Sequence, residues 1–121
     1  MLKFKDERRL GNELQNVVDF RVKALLEDLA WFVRNTMQKD VVITCLIRTA
    51  EENKAVNGVP NSAHLSGRAA DIRSTIYTEE EIGVINAYLT KIWGPLVYFK
   101  WHNSGSGMHI HININKAYAK I

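Results

Sequence analysis

Residues 96–114 read LVYFKWHNSGSGMHIHINI, and the fold follows from how they are arranged. Two runs rich in β-branched and aromatic residues flank the loop HNSGSG, the pattern of a β-hairpin. Successive strand side chains point to opposite faces, so Ile110 and Ile112 turn one way and His109 and His111 the other. The isoleucines seek a core, which leaves the two histidines side by side on the opposite face.

Working outward, Gly94-Pro95 stops whatever precedes the hairpin. Thr78 and Glu81 have capping-box spacing, and Ile82, Ile85, Leu89 and Ile92 recur at helical steps, predicting a helix that starts at Thr78. A short strand is expected over Arg68 to Ile72. Asp40 leads into VVITCLI, a β-branched run that reads as a buried strand ending at Arg48 and Thr49. Between them AEENKAVNGVPNSAHLSG is punctuated by Asn-Gly, Pro and Ser, a long loop with one helical turn near Glu51 to Val56. From Gly11 to about Met37, Leu14, Val18, Val22, Leu25, Leu29 and Phe32 mark one amphipathic helix. The expectation is an α+β fold: a small, mostly antiparallel sheet with an N-terminal helix and a second helix packed on it. Residues 1–121 form a single domain in this reading.

At 121 residues with 46% hydrophobic and 24% charged side chains, the chain has enough apolar content for one core. Its apolar runs are too short to span a bilayer, and MLKFKDERRLGNEL does not read as a signal peptide. Synthesis in the cytoplasm without membrane insertion is expected. The formal charge is +3, but the basic residues are scattered and lack the dense Lys/Arg and interleaved aromatics of a nucleic-acid groove. A lone cysteine, Cys45, excludes an intramolecular disulfide and reads as a small buried hydrophobe, with no histidine near it in sequence. Glu79 to Glu81 suit a helix N-terminus. Trp31, Phe32, Trp93, Tyr98, Phe99 and Trp101 read as core or groove wall. No heptad or exposed sticky strand indicates an oligomeric state.

The long loop ends in SAHLSGRAAD, residues 62–71. His64 and Asp71 are too far apart for adjacent helical turns and suit a loop entering a strand, with Gly67 allowing a tight fold between them. Catalytic zinc takes three protein ligands and keeps a fourth position for water. His64, Asp71 and one histidine of the His109/His111 pair would supply that set, and the other histidine could move protons. Blander readings stand beside it: a histidine pair without metal, Asp71 as a structural acid paired with Arg68 or Arg73, and His102 as a rival ligand or substrate contact.

SAHLSGRAAD resembles the pattern Ser-x-His-x-x-Gly-x-Ala-x-Asp of the zinc D-Ala-D-Ala peptidases, whose superfamily includes lysostaphin and the hedgehog domain. MHIH resembles that superfamily's His-x-His strand, and the likeness covers roughly residues 40 to 115. It implies zinc held by His64, Asp71 and His111, with His109 assisting proton transfer. It further implies Arg48 as a catalytic and substrate-binding group, and Ser62 as a substrate contact or loop support. The implied activity is hydrolysis of a D-alanine-containing bond in peptidoglycan stem peptides, by a carboxypeptidase or an endopeptidase. A phage or prophage lysis enzyme reaching the wall through a holin or virion is the implied setting. The alternative is an inactive, zinc-stabilised wall- or peptide-binding domain. Two positions depart from the pattern: Cys45-Leu46-Ile47 stands where Ser-Gly-aromatic often precedes the arginine, and Tyr98 replaces the glutamate of Glu-x-x-Trp-His.

Overall fold

The computed structural model describes residues 1–103 and 107–116. Residues 104–106 of the expected hairpin loop therefore lie outside the described residues. The elements run β1 (Leu2–Phe4), α1 (Glu7–Asn16), α2 (Phe20–Met37), β2 (Val41–Cys45), α3 (Ala50–Ala55), β3 (Ala69–Arg73), α4 (Glu79–Trp93), β4 (Val97–Asn103) and β5 (Met108–Ile114). The strands form one sheet in the order β1-β2-β3-β5-β4. β1 pairs with β2 in parallel, and the other neighbours are antiparallel. The fold is α+β, as the sequence indicates.

Local chemistry sets most boundaries. Thr49/Glu52 and Thr78/Glu81 form complete capping boxes at α3 and α4. Asp6 caps α1 by accepting from Arg9 N. Gln38, in the left-handed region, ends α2. One core lies on a single face of the sheet, where Leu25, Leu26, Leu29, Ile72, Ile85, Leu89, Ile110 and Ile112 are fully buried. Each such side chain contributes about 1.5–3 kcal/mol through burial. α2 and α4 cover this face together, with Phe32 and Tyr88 stacked at 3.8 Å and Asp28 accepting from Tyr88 Oη and Trp93 Nε1.

The structure corrects several sequence expectations. The single helix expected from Gly11 to Met37 is two helices, broken at Val17–Asp19. The apolar spacing runs through the break, but Asp19 turns its carboxylate onto Arg21 N to cap α2, and Asp19 N donates to Gly67 O. The break is thus the seat of the loop that carries His64. β1 is an additional strand, too short for its alternation to register in sequence. β2 stops at Cys45 rather than running through Ile47, because Ile47 N donates to Glu13 Oε1 and Leu46 O accepts from a histidine described below. Trp31 and Ile92 are exposed rather than core.

Candidate metal centre

The face of β3 and β5 away from the core carries the chemistry. Ala70 and Ile72 enter the core, so Asp71 between them faces the other way. Register places Asp71 opposite His111, and His109 opposite both Arg73 and His102. His64 arrives from a 3₁₀ turn over Ala63–Ser66, whose first N–H groups are capped by Ser62 Oγ accepting from His64 N. Gly67 closes that turn at φ +70°, and a side chain there would press on Ile47 and Val18. Only glycine meets both conditions without strain.

Asp71 is 4% exposed and is the hub of the site. Its Oδ1 lies 3.1 Å from His64 Nε2 and 3.1 Å from His111 Nδ1. Its Oδ2 lies 3.2 Å from Arg48 and 3.7 Å from His109 Nε2. Neither Arg68 nor Arg73 is its partner: Arg68 donates to Ile114 O and Ser66 Oγ. His102 stacks obliquely on His109, with ring centroids 4.8 Å apart, one strand farther out from Asp71.

The outer nitrogens of the two nearest histidines are already committed. His64 Nδ1 is 2.8 Å from Leu46 O, and His111 Nε2 is 2.8 Å from Asn113 Oδ1. Both acceptors are oxygens, so each of those nitrogens carries the hydrogen. The remaining nitrogens, His64 Nε2 and His111 Nδ1, therefore present lone pairs to the same carboxylate oxygen. Lone pairs that converge in this way call for a cation or a proton between them. Metal–ligand bonds of about 2.0–2.1 Å at tetrahedral angles place neighbouring donor atoms ~3.3 Å apart. His64 Nε2 and His111 Nδ1 each stand 3.1 Å from Asp71 Oδ1, near that spacing, while the two rings lie 5.2 Å apart between centroids. The donor set fits a divalent metal of zinc type, with Leu46 and Asn113 orienting the imidazoles from behind.

Among the described residues, Cys45, His64 and Asp71 offer ligand atoms that all lie within 4.8 Å of one another. Cys45 is half-buried, and folding brings it to His64 although no histidine lies near it in sequence. Its Sγ, however, lies 3.7 Å from His64 Nδ1, the nitrogen bonded to Leu46 O. Nε2 faces Asp71 and His111 instead. His64 thus turns one ring nitrogen to Asp71 and the other to Leu46 O and Cys45.

Electrostatics supports the same picture. Burial pushes His64 down, but its hydrogen bond to Asp71 more than reverses this and raises it to about 9. Burial likewise pushes Asp71 up, yet His111 and His64 against it hold its carboxyl well below the ordinary carboxylate range. Without metal, a proton on His64 occupies the role that a cation fills. His102 is pushed down by burial and then by His109, Lys100 and His111 around it.

Above Asp71 opens a cavity of about 580 Å³. Arg48 and Ser62 line it on one side, and Tyr98, Lys100 and His102 of β4 on the other. Arg48 donates to Asn53 Oδ1 as well as to Asp71, and Asn53 Nδ2 donates to Val59 O. Buried Asn53 thus ties the arginine to the loop after α3, a role absent from the sequence reading. Glu13 has a comparable hidden role, since it anchors Ile47 N and Arg9 Nε. Asn53 and Glu13 act through backbone groups or across long sequence separations, so no spacing signal reveals them, whereas Asn113 stands two residues from His111 on the same strand face, a His-x-Asn spacing open to strand alternation.

The sequence matches the family Peptidase M15 over residues 9–112. No curated protein and no solved structure matches the chain.

Proposed function

Because the chain belongs to the peptidase M15 family, a family of metal-dependent hydrolases, we propose that it is a zinc-dependent peptidase of bacterial cell walls. It hydrolyses a D-alanine-containing bond in peptidoglycan stem peptides, as a D,D-carboxypeptidase or an endopeptidase. The observation that carries this reading is Asp71, buried beneath an open cavity and shared by His64, His111, His109 and Arg48. A phage or prophage lysis role, with the wall reached through a holin or virion, completes it. Among the described residues no helix is long and apolar enough to cross a membrane.

Each residue has a distinct task. His64 Nε2, His111 Nδ1 and an Asp71 oxygen would hold the zinc, with the Leu46 carbonyl and Asn113 fixing the rings. When bound, zinc supplies Lewis acidity and an acidified water. His109 directs Nε2 toward Asp71 while its Nδ1 faces Gly107 O at 3.3 Å. That leaves Nε2 as the atom that takes a proton from the attacking water and returns one to the leaving amine. Arg48, held by Asn53 and Asp71, offers its planar fork to the developing oxyanion or to a substrate carboxylate. Ser62 shapes the His64 turn and reaches the cavity, where it can contact the substrate.

The test is digestion of purified peptidoglycan and of D-Ala-D-Ala-terminated peptides by the zinc-loaded chain, read by mass spectrometry. Release of D-alanine or of cross-link fragments is expected, and the product names the bond. Wall fragments bound but left intact would favour a zinc-stabilised binding domain instead.

A further inference from the structure

The cavity face of the sheet is a grid of side chains. Strand register lines up Cys45, Asp71, His111 and Lys100 in one row running from β2 across β3 and β5 to β4. Directly paired residues point to the same face, so the row that supplies Asp71 and His111 ends in a lysine. Lys100 is exposed and lines the cavity, and it has no ion-pair partner among the described residues. Tyr98 and His102, two residues to either side, stand on the same face and also line the cavity.

Charge in the cavity is one-sided. Arg48 lies at the β2 side and Lys100 at the β4 side, while among the described residues Asp71 is the only carboxylate of the lining. Asp71 is already engaged by Arg48, His64 and His111, so it leaves nothing for Lys100. A cleft that holds fixed cations at both ends and a satisfied anion at its floor attracts negative charge. Distance narrows where that charge sits. Neighbouring strands lie ~4.8 Å apart, and an extended peptide advances roughly 3.3–3.6 Å per residue. Lys100 is one strand beyond His111, hence one or two substrate residues from the reacting bond.

We propose that Lys100 is a specificity-determining contact that binds a substrate carboxylate one or two residues from the cut bond. The enzyme then prefers stem peptides in which that carboxylate is free over those in which it is amidated. The inference rests on the peptidase reading above.

Three synthetic peptides test it with the zinc-loaded full chain: one with all carboxylates free, one amidated at the C-terminus, and one amidated at the side-chain carboxylate. Wild type should cut the free peptide with about tenfold higher kcat/KM than one of the amides, chiefly through KM, the scale of a hydrogen bond to a charged group. Which amide is penalised identifies the terminal or the side-chain carboxylate as the group bound. In Lys100→Ala the ratio should fall to near one, in Lys100→Glu it should invert, and in Lys100→Arg it should persist. Zinc content checks that each variant is folded. Equal cutting of all three peptides by wild type, or an unchanged preference in Lys100→Glu, overturns the proposal while leaving the peptidase reading intact. Failure of wild type to cut any peptide overturns the peptidase reading, and this inference with it.

Discussion

On β3, Ala70 and Ile72 face the helices while Asp71, between them, faces the open cavity; on β5, Ile110 and Ile112 face the helices and His109 and His111 the cavity. The two faces differ by one residue in sequence and share a backbone, yet different forces hold them. The helix-covered face is stabilised by apolar area, distributed over many interchangeable contacts. The cavity face depends on one buried carboxylate, for which few substitutes exist. The core can therefore change by a methyl group without touching function, whereas the site cannot change by a charge.

Asp71→Asn keeps the shape of the cavity face and removes its charge. Zinc affinity should fall by well over the 10–100-fold that loss of an outer partner costs, and peptidase activity should disappear with it. Metal titration of the purified variant measures this, and zinc retained at wild-type affinity would remove Asp71 from the site. Next in size is His109→Ala, which should lower kcat by about 10²–10⁴-fold with zinc still bound. Loss of metal in that variant would make His109 a ligand rather than a proton carrier.

A third, smaller effect concerns pH in the metal-free protein. His64 has its pKa raised from 6.5 to about 9, so its stabilising contribution is full below pH 6.5 and lost as pH rises through 9. Asp71 is depressed from 3.8, so its contribution is present above that value and lost only as pH falls well below it. The urea midpoint of the chelated protein should therefore drop between pH 6.5 and 9, while zinc affinity climbs over the same interval as the His64 proton leaves. A midpoint flat across that window would show that no such proton is held. The smallest effect belongs to the other face. Ile110→Val should cost about 0.5–1.5 kcal/mol in unfolding and leave zinc stoichiometry at one per chain. Weakened metal binding in Ile110→Val would mean the two faces are coupled.

The sequence discloses the two faces unevenly. Strand alternation in MHIHINI separates Ile110 and Ile112 from His109 and His111 before any coordinates are seen, and SAHLSGRAAD marks His64, Gly67 and Asp71. Helix α4 is equally plain, because Thr78 and Glu81 announce its start and Gly94-Pro95 its end. What stays hidden depends on contacts distant in sequence. The break between α1 and α2 keeps an unbroken apolar rhythm, and its cause, Asp19 N donating to Gly67 O, lies 48 residues away along the chain. The carbonyl of Leu46 behind His64 leaves no trace in residue type, since every residue has a carbonyl. Cys45 looks isolated in sequence and comes to His64 only because β2 and the 3₁₀ turn meet.

That last meeting sets two candidate shells against each other, the proposed His64, Asp71 and His111 and the one that includes Cys45. X-ray absorption at the zinc edge of the loaded protein reads the first shell without a substrate. Nitrogen and oxygen scatterers only are expected, at about 2.0–2.2 Å, including two imidazoles. A sulfur scatterer near ~2.3 Å would place Cys45 in the shell and contradict the proposed set.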